Sequence, residues 1–262
     1  MSTLHSGFSH ALEILVDQSI SPDLLYEKWW SGPRSASSIS TIDTNFHQDL
    51  PSRFLFRLGT TEIHSLGHTA VALEPGDFYY SGNGFAVIKR RQHWSSEHFI
   101  WRQGIQPSVY PFNSQTIRAY IPSHLRSNIS LATEIGDQLD RFNLPFQLKF
   151  RREKEVYRDS IVMWVDEHFL RQSNAVVANI CGQSQAIVLP PPLTFHVGAI
   201  GYSESPHDGS SPGWNFSKLL WSISKTKRLK EISELIIDNG YDPVKPWRFR
   251  NGNGSAWEEQ LS

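Results

Sequence analysis

The 262-residue chain has a single cysteine, Cys181. One thiol makes no intrachain disulfide and no thiolate metal cluster, which suits a reducing cytoplasm. At Cys181 itself a small packing role is expected rather than chemistry. Long apolar runs are also missing, and none approaches the roughly 20 residues that span a bilayer. The opening stretch MSTLHSGFSHALEILVDQ lacks a basic region followed by a long apolar one, so no secretory signal is expected. Neither sign of charge dominates: 25 Lys and Arg face 26 Asp and Glu, for a net charge of −1 and a pI near 6.8. That balance argues against coating nucleic acid by bulk charge, so any recognition of an anion has to be local. There is no Walker phosphate loop, no GxGxxG after a strand, no GxSxG elbow and no internal repeat. The expectation is a cytoplasmic protein that engages neither nucleic acid nor membrane.

Aromatic residues, by contrast, are plentiful. Nine Trp and fifteen Phe, with 39% hydrophobic residues, describe a chain that packs a core. Ser21-Pro22 before DLLYEKWW, with Gly32 after it, reads as a cap, a first-turn proline and a glycine stop. Residues 33–52 are Ser/Thr-rich and read as a mobile loop. FYYSGNGFAVIKRR reads as a hairpin, because Asn83-Gly84 tolerates positive φ. HFIWRQ, TIRAYIP, FQLKFR and SIVMWV read as further strands. SLATEIGDQLDRFN reads as a helix capped by Ser130, with an apolar stripe of Leu131, Ile135, Leu139 and Phe142. Residues 166–180 and 215–237 look helical. Hairpins without regular βαβ alternation predict an α+β fold, one globular domain with an antiparallel or mixed sheet and flanking helices. An N-terminal helical segment and loop (1–52) would belong to that domain, a core would span 53–240, and a C-terminal tail would occupy 241–262, its last stretch NGNGSAWEEQLS frayed.

The charges cluster locally. Lys149, Arg151, Arg152, Lys154 and Arg158 crowd one short stretch, with Glu153 and Glu155 among them. Alternation sorts this run. Lys149 falls opposite Phe146, Leu148 and Phe150. Arg118 falls opposite Ile117, Ala119 and Ile121. Arg158 alternates with Tyr157 and Asp159. Three strands would thus each place a cation on a polar face. Such faces are commonly just solvated, but convergence of the three favours a phosphate or carboxylate ligand. Arg151, Arg152 and Lys154 read as a solvated turn. Lys89 shares a face with Phe85 and Val87. It is either a snorkelling lysine or a desolvated one with a lowered pKa, fit to act as a base. His93 and His98 have the wrong spacing for a zinc helix. His196 is either structural or an acid.

The order of LYEKWWSG (25–32), GDFYYSGNGFAVIKR (76–90), TIRAYIP (116–122), LPFQLKF (144–150), YRDSIVMWV (157–165) and ESP (204–206) resembles the HopA family of type III effectors. That family's relatives include the lyase components of class V lanthipeptide and thioamitide biosynthesis. The resemblance covers roughly residues 20–235. It implies a lyase that needs no metal or organic cofactor and eliminates phosphate from phosphoserine or phosphothreonine in a precursor peptide, after a separate peptide kinase has acted. On the matching motifs, Lys89 would be the base, and Arg118, Lys149 and Arg158 the phosphate grip. Tyr157 would be a hydrogen-bond donor, Asp159 would orient Arg158, and His196 would be an acid for the leaving group. The chain departs from the family where many relatives carry Ser-Phe-Gly and an arginine three residues later. Here the run is Asn215-Phe216-Ser217, with Leu220 at the arginine position and Lys218 nearby. A phosphopeptide-binding module without turnover and an effector-like interaction domain are the rival readings.

Overall fold

The computed structural model describes residues 5–15, 20–32, 55–57, 78–81, 85–88, 92–94, 98–103, 116–142, 144, 146–151, 156–206, 210–224, 229–249 and 256–261. For the strands between 55 and 103 it describes the backbone. The chain starts with α1 (Ser6–Leu15) and α2 (Pro22–Leu25), and α2 runs on as a wider π-helical turn, Tyr26–Ser31. Ser21 caps α2 by accepting from Leu24 N at 3.2 Å, and Gly32 stops the turn at φ 104°. The expected cap, proline and stop are therefore in place.

Strands β1 (Leu55–Arg57), β2 (Phe78–Ser81) and β3 (Phe85–Ile88) form a three-stranded sheet in the order β1-β3-β2. Ser81 pairs with Phe85, so β2 and β3 form the expected hairpin. The larger sheet is built from β4 (Gln92–Trp94), β5 (His98–Gln103), β6 (Thr116–Ile121), β7 (Phe146–Arg151), β8 (Ile161–Asp166), β9 (Phe195–Val197) and β10 (Ile200–Glu204). Its order is β4-β5-β7-β8-β6-β10-β9, and every described pair is antiparallel. The α+β expectation holds, and the sheet is antiparallel rather than mixed.

Helices cover both faces of this sheet. Alternation sends Ile117, Ala119, Ile121, Leu148, Met163 and Val165 to one face, where they pack on α3 (Asn128–Arg141) and α4 (Leu170–Gly182). Leu131, Ile135 and Leu139 of α3 lie in this core, whereas Phe142 is 61% exposed and ends the stripe early. The cap of α3 is also shifted. Ser127, not Ser130, supplies the hydroxyl, accepting from Ser130 N at 3.2 Å. Tyr120, Val162 and Trp164 point to the other face, against α1, α2, α5 (Pro212–Ser224) and α6 (Leu229–Asp238). The helix expected over 215–237 is thus two helices.

The C-terminal segment is docked rather than frayed. A 3-10 turn, Trp257–Leu261, buries Trp257 completely. Glu204 on β10 accepts from Phe249 N at 2.6 Å and Trp257 Nε1 at 2.9 Å. Burial outweighs those bonds and raises the Glu204 pKa. A carboxyl raised in the folded state stabilises the fold most below its unfolded pKa, and that contribution is lost as pH rises through the folded pKa. Comparison with Glu204→Gln isolates this group. The melting-temperature difference, wild type minus variant, is expected to fall between about pH 4 and neutrality. A difference that stays flat across that range would contradict the assignment.

Candidate anion-binding site

The face covered by α2 and α5 holds the polar residues that the sheet would otherwise leave in water. In the β6–β8 and β6–β10 registers, Arg118 lies opposite Trp164 and opposite Ser203. One pair along, Tyr120 lies opposite Val162, which lies opposite Lys149. Alternation therefore puts Arg118, Tyr120, Lys149, Trp164 and Ser203 on one face.

Two cations lie against one ring there. The Arg118 guanidinium carbon lies 5.2 Å from the Trp164 ring centroid, and Lys149 Nζ lies 5.9 Å from the same centroid. A ring face attracts each cation by about 0.5–2 kcal/mol. Arg118 is 4% exposed. Its Nε donates to Ser205 Oγ at 2.9 Å, and its Nη2 to Ser210 O at 2.6 Å. Those two acceptors are neutral, and they orient the guanidinium. Asn215 Nδ2 donates to Ser210 Oγ at 2.7 Å. Asn215 thus braces Ser210, whose carbonyl positions Arg118.

Two hydroxyls join the cations, and neither carried a signal in the sequence. Tyr120 Oη and Ser203 Oγ are buried without a hydrogen-bond partner among the described residues. Arg118 and Ser203 both lie near enough to Tyr120 Oη to lower its pKa, though not in hydrogen-bond geometry. Burial wins, and the phenol stays above its usual value near 10. Tyr120 is therefore a protonated donor at neutral pH. Buried donors of this kind usually have a partner, and an oxyanion beside Arg118 would supply one.

The other expected site residues are distributed as follows. Lys89 lies outside the described residues. Arg158 is not on a strand, because residues 158–160 form the turn before β8. Its Nη1 donates to Leu189 O at 3.5 Å, its stem packs on Gly32, and burial lowers its pKa. Asp159 is 6% exposed, and its Oδ2 accepts from Tyr26 Oη at 2.9 Å and Ser31 Oγ at 3.0 Å. Asp159 thereby anchors the π-helical turn, while burial is the one cause of the Arg158 shift. Tyr157 is buried, and its backbone locks to Ser123 through Ser123 N to Tyr157 O at 2.8 Å and Tyr157 N to Ser123 Oγ at 2.9 Å. His196, on β9, is exposed and turns Nε2 to Pro191 O at 3.2 Å. Four strand spacings separate β9 from β7, roughly 19 Å, so His196 does not share a ligand with Lys149.

Lys218 is exposed, with Nζ 4.9 Å from the Trp214 ring centroid, while Leu220 is fully buried. Burial pushes the Cys181 thiol up to about 12, so it is no nucleophile at neutral pH. Among the described residues no group of three or more His, Cys, Asp or Glu is placed to hold a metal ion, and no helix is long and apolar enough to cross a membrane.

No protein-family model and no curated protein matches the chain. Solved structures do. The effector protein from Pseudomonas syringae pv. syringae strain 61 is similar with a TM-score of 0.59 and 14% identity, over 93% of this chain and 96% of that one. The effector protein from Pseudomonas syringae pv. tomato strain DC3000 is similar with a TM-score of 0.50 and 11% identity, over the same shares of the two chains. At these identities the likeness shows a shared fold, over 93% of this chain.

Proposed function

We propose that the sheet face around Trp164 binds the phosphate of a phosphoserine or phosphothreonine peptide, and that the protein eliminates this phosphate. The observation that supports the reading is that Arg118 and Lys149, from strands on either side of β8, approach the same Trp164 ring, at 5.2 and 5.9 Å from its centroid. A phosphate dianion balances two cations, and a guanidinium fork fits its oxygens. Tyr120 and Ser203 supply neutral donors beside it. The resemblance to the HopA family and its lyase relatives supplies the reaction. A base takes the Cα proton, the Cβ–O bond breaks, and phosphate leaves with the bond's electron pair. Cations that hold the departing charge lower the barrier. Lys89 is our choice of base, and a separate kinase would make the substrate.

One observation favours binding without turnover. The position at which the resembled family carries an arginine is Leu220, fully buried, and exposed Lys218 does not replace it. Mass spectrometry decides between the two readings. Incubation with a phosphorylated peptide is expected to release phosphate and leave a dehydroalanine or dehydrobutyrine residue. Tyr120→Phe should slow this by about tenfold, the loss of one hydrogen bond. Tight binding with unchanged phosphopeptide would remove the lyase and keep the binding site.

A further inference from the structure

The bend after β6 and the loop after α4 run side by side. Leu125 N donates to Gln185 O at 3.0 Å and Ile187 N to Ser123 O at 2.7 Å, with His124 and Ala186 as bridge partners. His124 turns inward at 4% exposure. Leu125, Ile187 and Leu189 turn outward at 73%, 47% and 68%. Single exposed aliphatic residues are ordinary. Three on one short ribbon form a patch, and patches mark interaction surfaces. Beside it stands Arg158, whose Nη1 reaches Leu189 O and whose Nε is buried without a partner among the described residues.

We propose that this patch docks an extended peptide segment in which an acidic residue stands among aliphatic ones, the part of the substrate that flanks the phosphorylated residue. The proposal rests on the phosphopeptide reading above. The aliphatic side chains cover Leu125 and Leu189, and the carboxylate takes the Arg158 fork, a desolvated guanidinium that suits a planar anion. Arg158 is thereby a specificity residue rather than part of the phosphate grip. Leu125 lies in the bend past the end of β6, the strand that carries Arg118.

The test uses the full chain and a fluorescent, unphosphorylated peptide of alternating Leu and Glu, read by anisotropy. The peptide is expected to bind, and to bind about tenfold more weakly to Leu125→Ser/Leu189→Ser. Arg158→Gln should weaken it similarly, yet leave unchanged a peptide with Gln in place of Glu. Both leucines are exposed, so the double variant is expected to melt as wild type does. Equal binding of the two peptides, or no effect of the double variant, would overturn the proposal. So would a double variant that alters only self-association or binding to anionic lipid vesicles, because the patch would then serve a second copy or a membrane. The probe carries no phosphate, so this result stands or falls independently of the elimination assay.

Discussion

Trp30→Ala should destabilise the protein by about 3–5 kcal/mol, the usual cost of emptying a large buried aromatic site. In a chain of this size that corresponds to a fall in melting temperature of roughly 6–20 °C. Trp30 is fully buried in the π-helical turn. Its ring meets Trp29 at 5.9 Å, Tyr120 at 5.6 Å and Phe216 at 6.4 Å, so it joins the N-terminal helices, the sheet and α5 in one place. Gly213 of α5 lies flat on the ring, and a Cβ at Gly213 would fall among the Trp30 ring carbons. Gly213→Ala therefore probes the contact from the opposite side, and overpacking against a rigid ring costs about 1–3 kcal/mol. Circular dichroism melts of both variants check the pair. A loss under about 1 kcal/mol for Trp30→Ala, below the usual range, would mean that this joint does not hold the helical layer to the sheet.

The second large effect is functional. Arg118→Ala is expected to weaken phosphopeptide affinity by about a hundredfold, since a hydrogen bond to a charged group contributes about 1.5–3 kcal/mol. Arg118→Lys should fall between the two, keeping the charge and losing the fork. Because Arg118 also holds Ser205 and the Ser210 carbonyl, each variant needs a melt alongside the binding curve. The lysine variant separates a lost grip from a loosened fold. If Arg118→Lys binds as weakly as Arg118→Ala while melting like wild type, the fork is what the phosphate reads. If Arg118→Ala binds normally, the guanidinium is a structural strut.

Alternation makes part of this site legible in the sequence. The patterns in TIRAYI and FQLKF put Arg118 and Lys149 opposite their apolar neighbours, and strand pairing puts them on one face. What they share is the Trp164 ring, which lies between β6 and β7 only because β8 does. That strand order is non-local, and no spacing in the sequence encodes it. The same limit hides Tyr120 and Ser203, whose neighbours lie across strands. Arg158 departs from its expected strand position for a local reason. Alternation does not extend through YRDS, where the chain turns before β8 begins at Ile161. The stretch NGNGSAWEEQLS (251–262) reads as frayed because Gly, Asn and Glu outweigh its one Trp, whereas in the fold Trp257 fills the core. The Ser21 cap, the Gly32 stop and the hairpin are legible because each depends on its own few residues.

The central claim is that Arg118 and Lys149 hold the same phosphate, and a double-mutant cycle tests it most directly. Affinity for one phosphopeptide is measured with wild type, Arg118→Lys, Lys149→Gln and the double variant. Two groups on one ligand are coupled, and the cycle is expected to return an interaction energy of about 0.5–3 kcal/mol, the range for residues that share a partner. Additive losses would place the two cations on separate ligands and contradict the site described here.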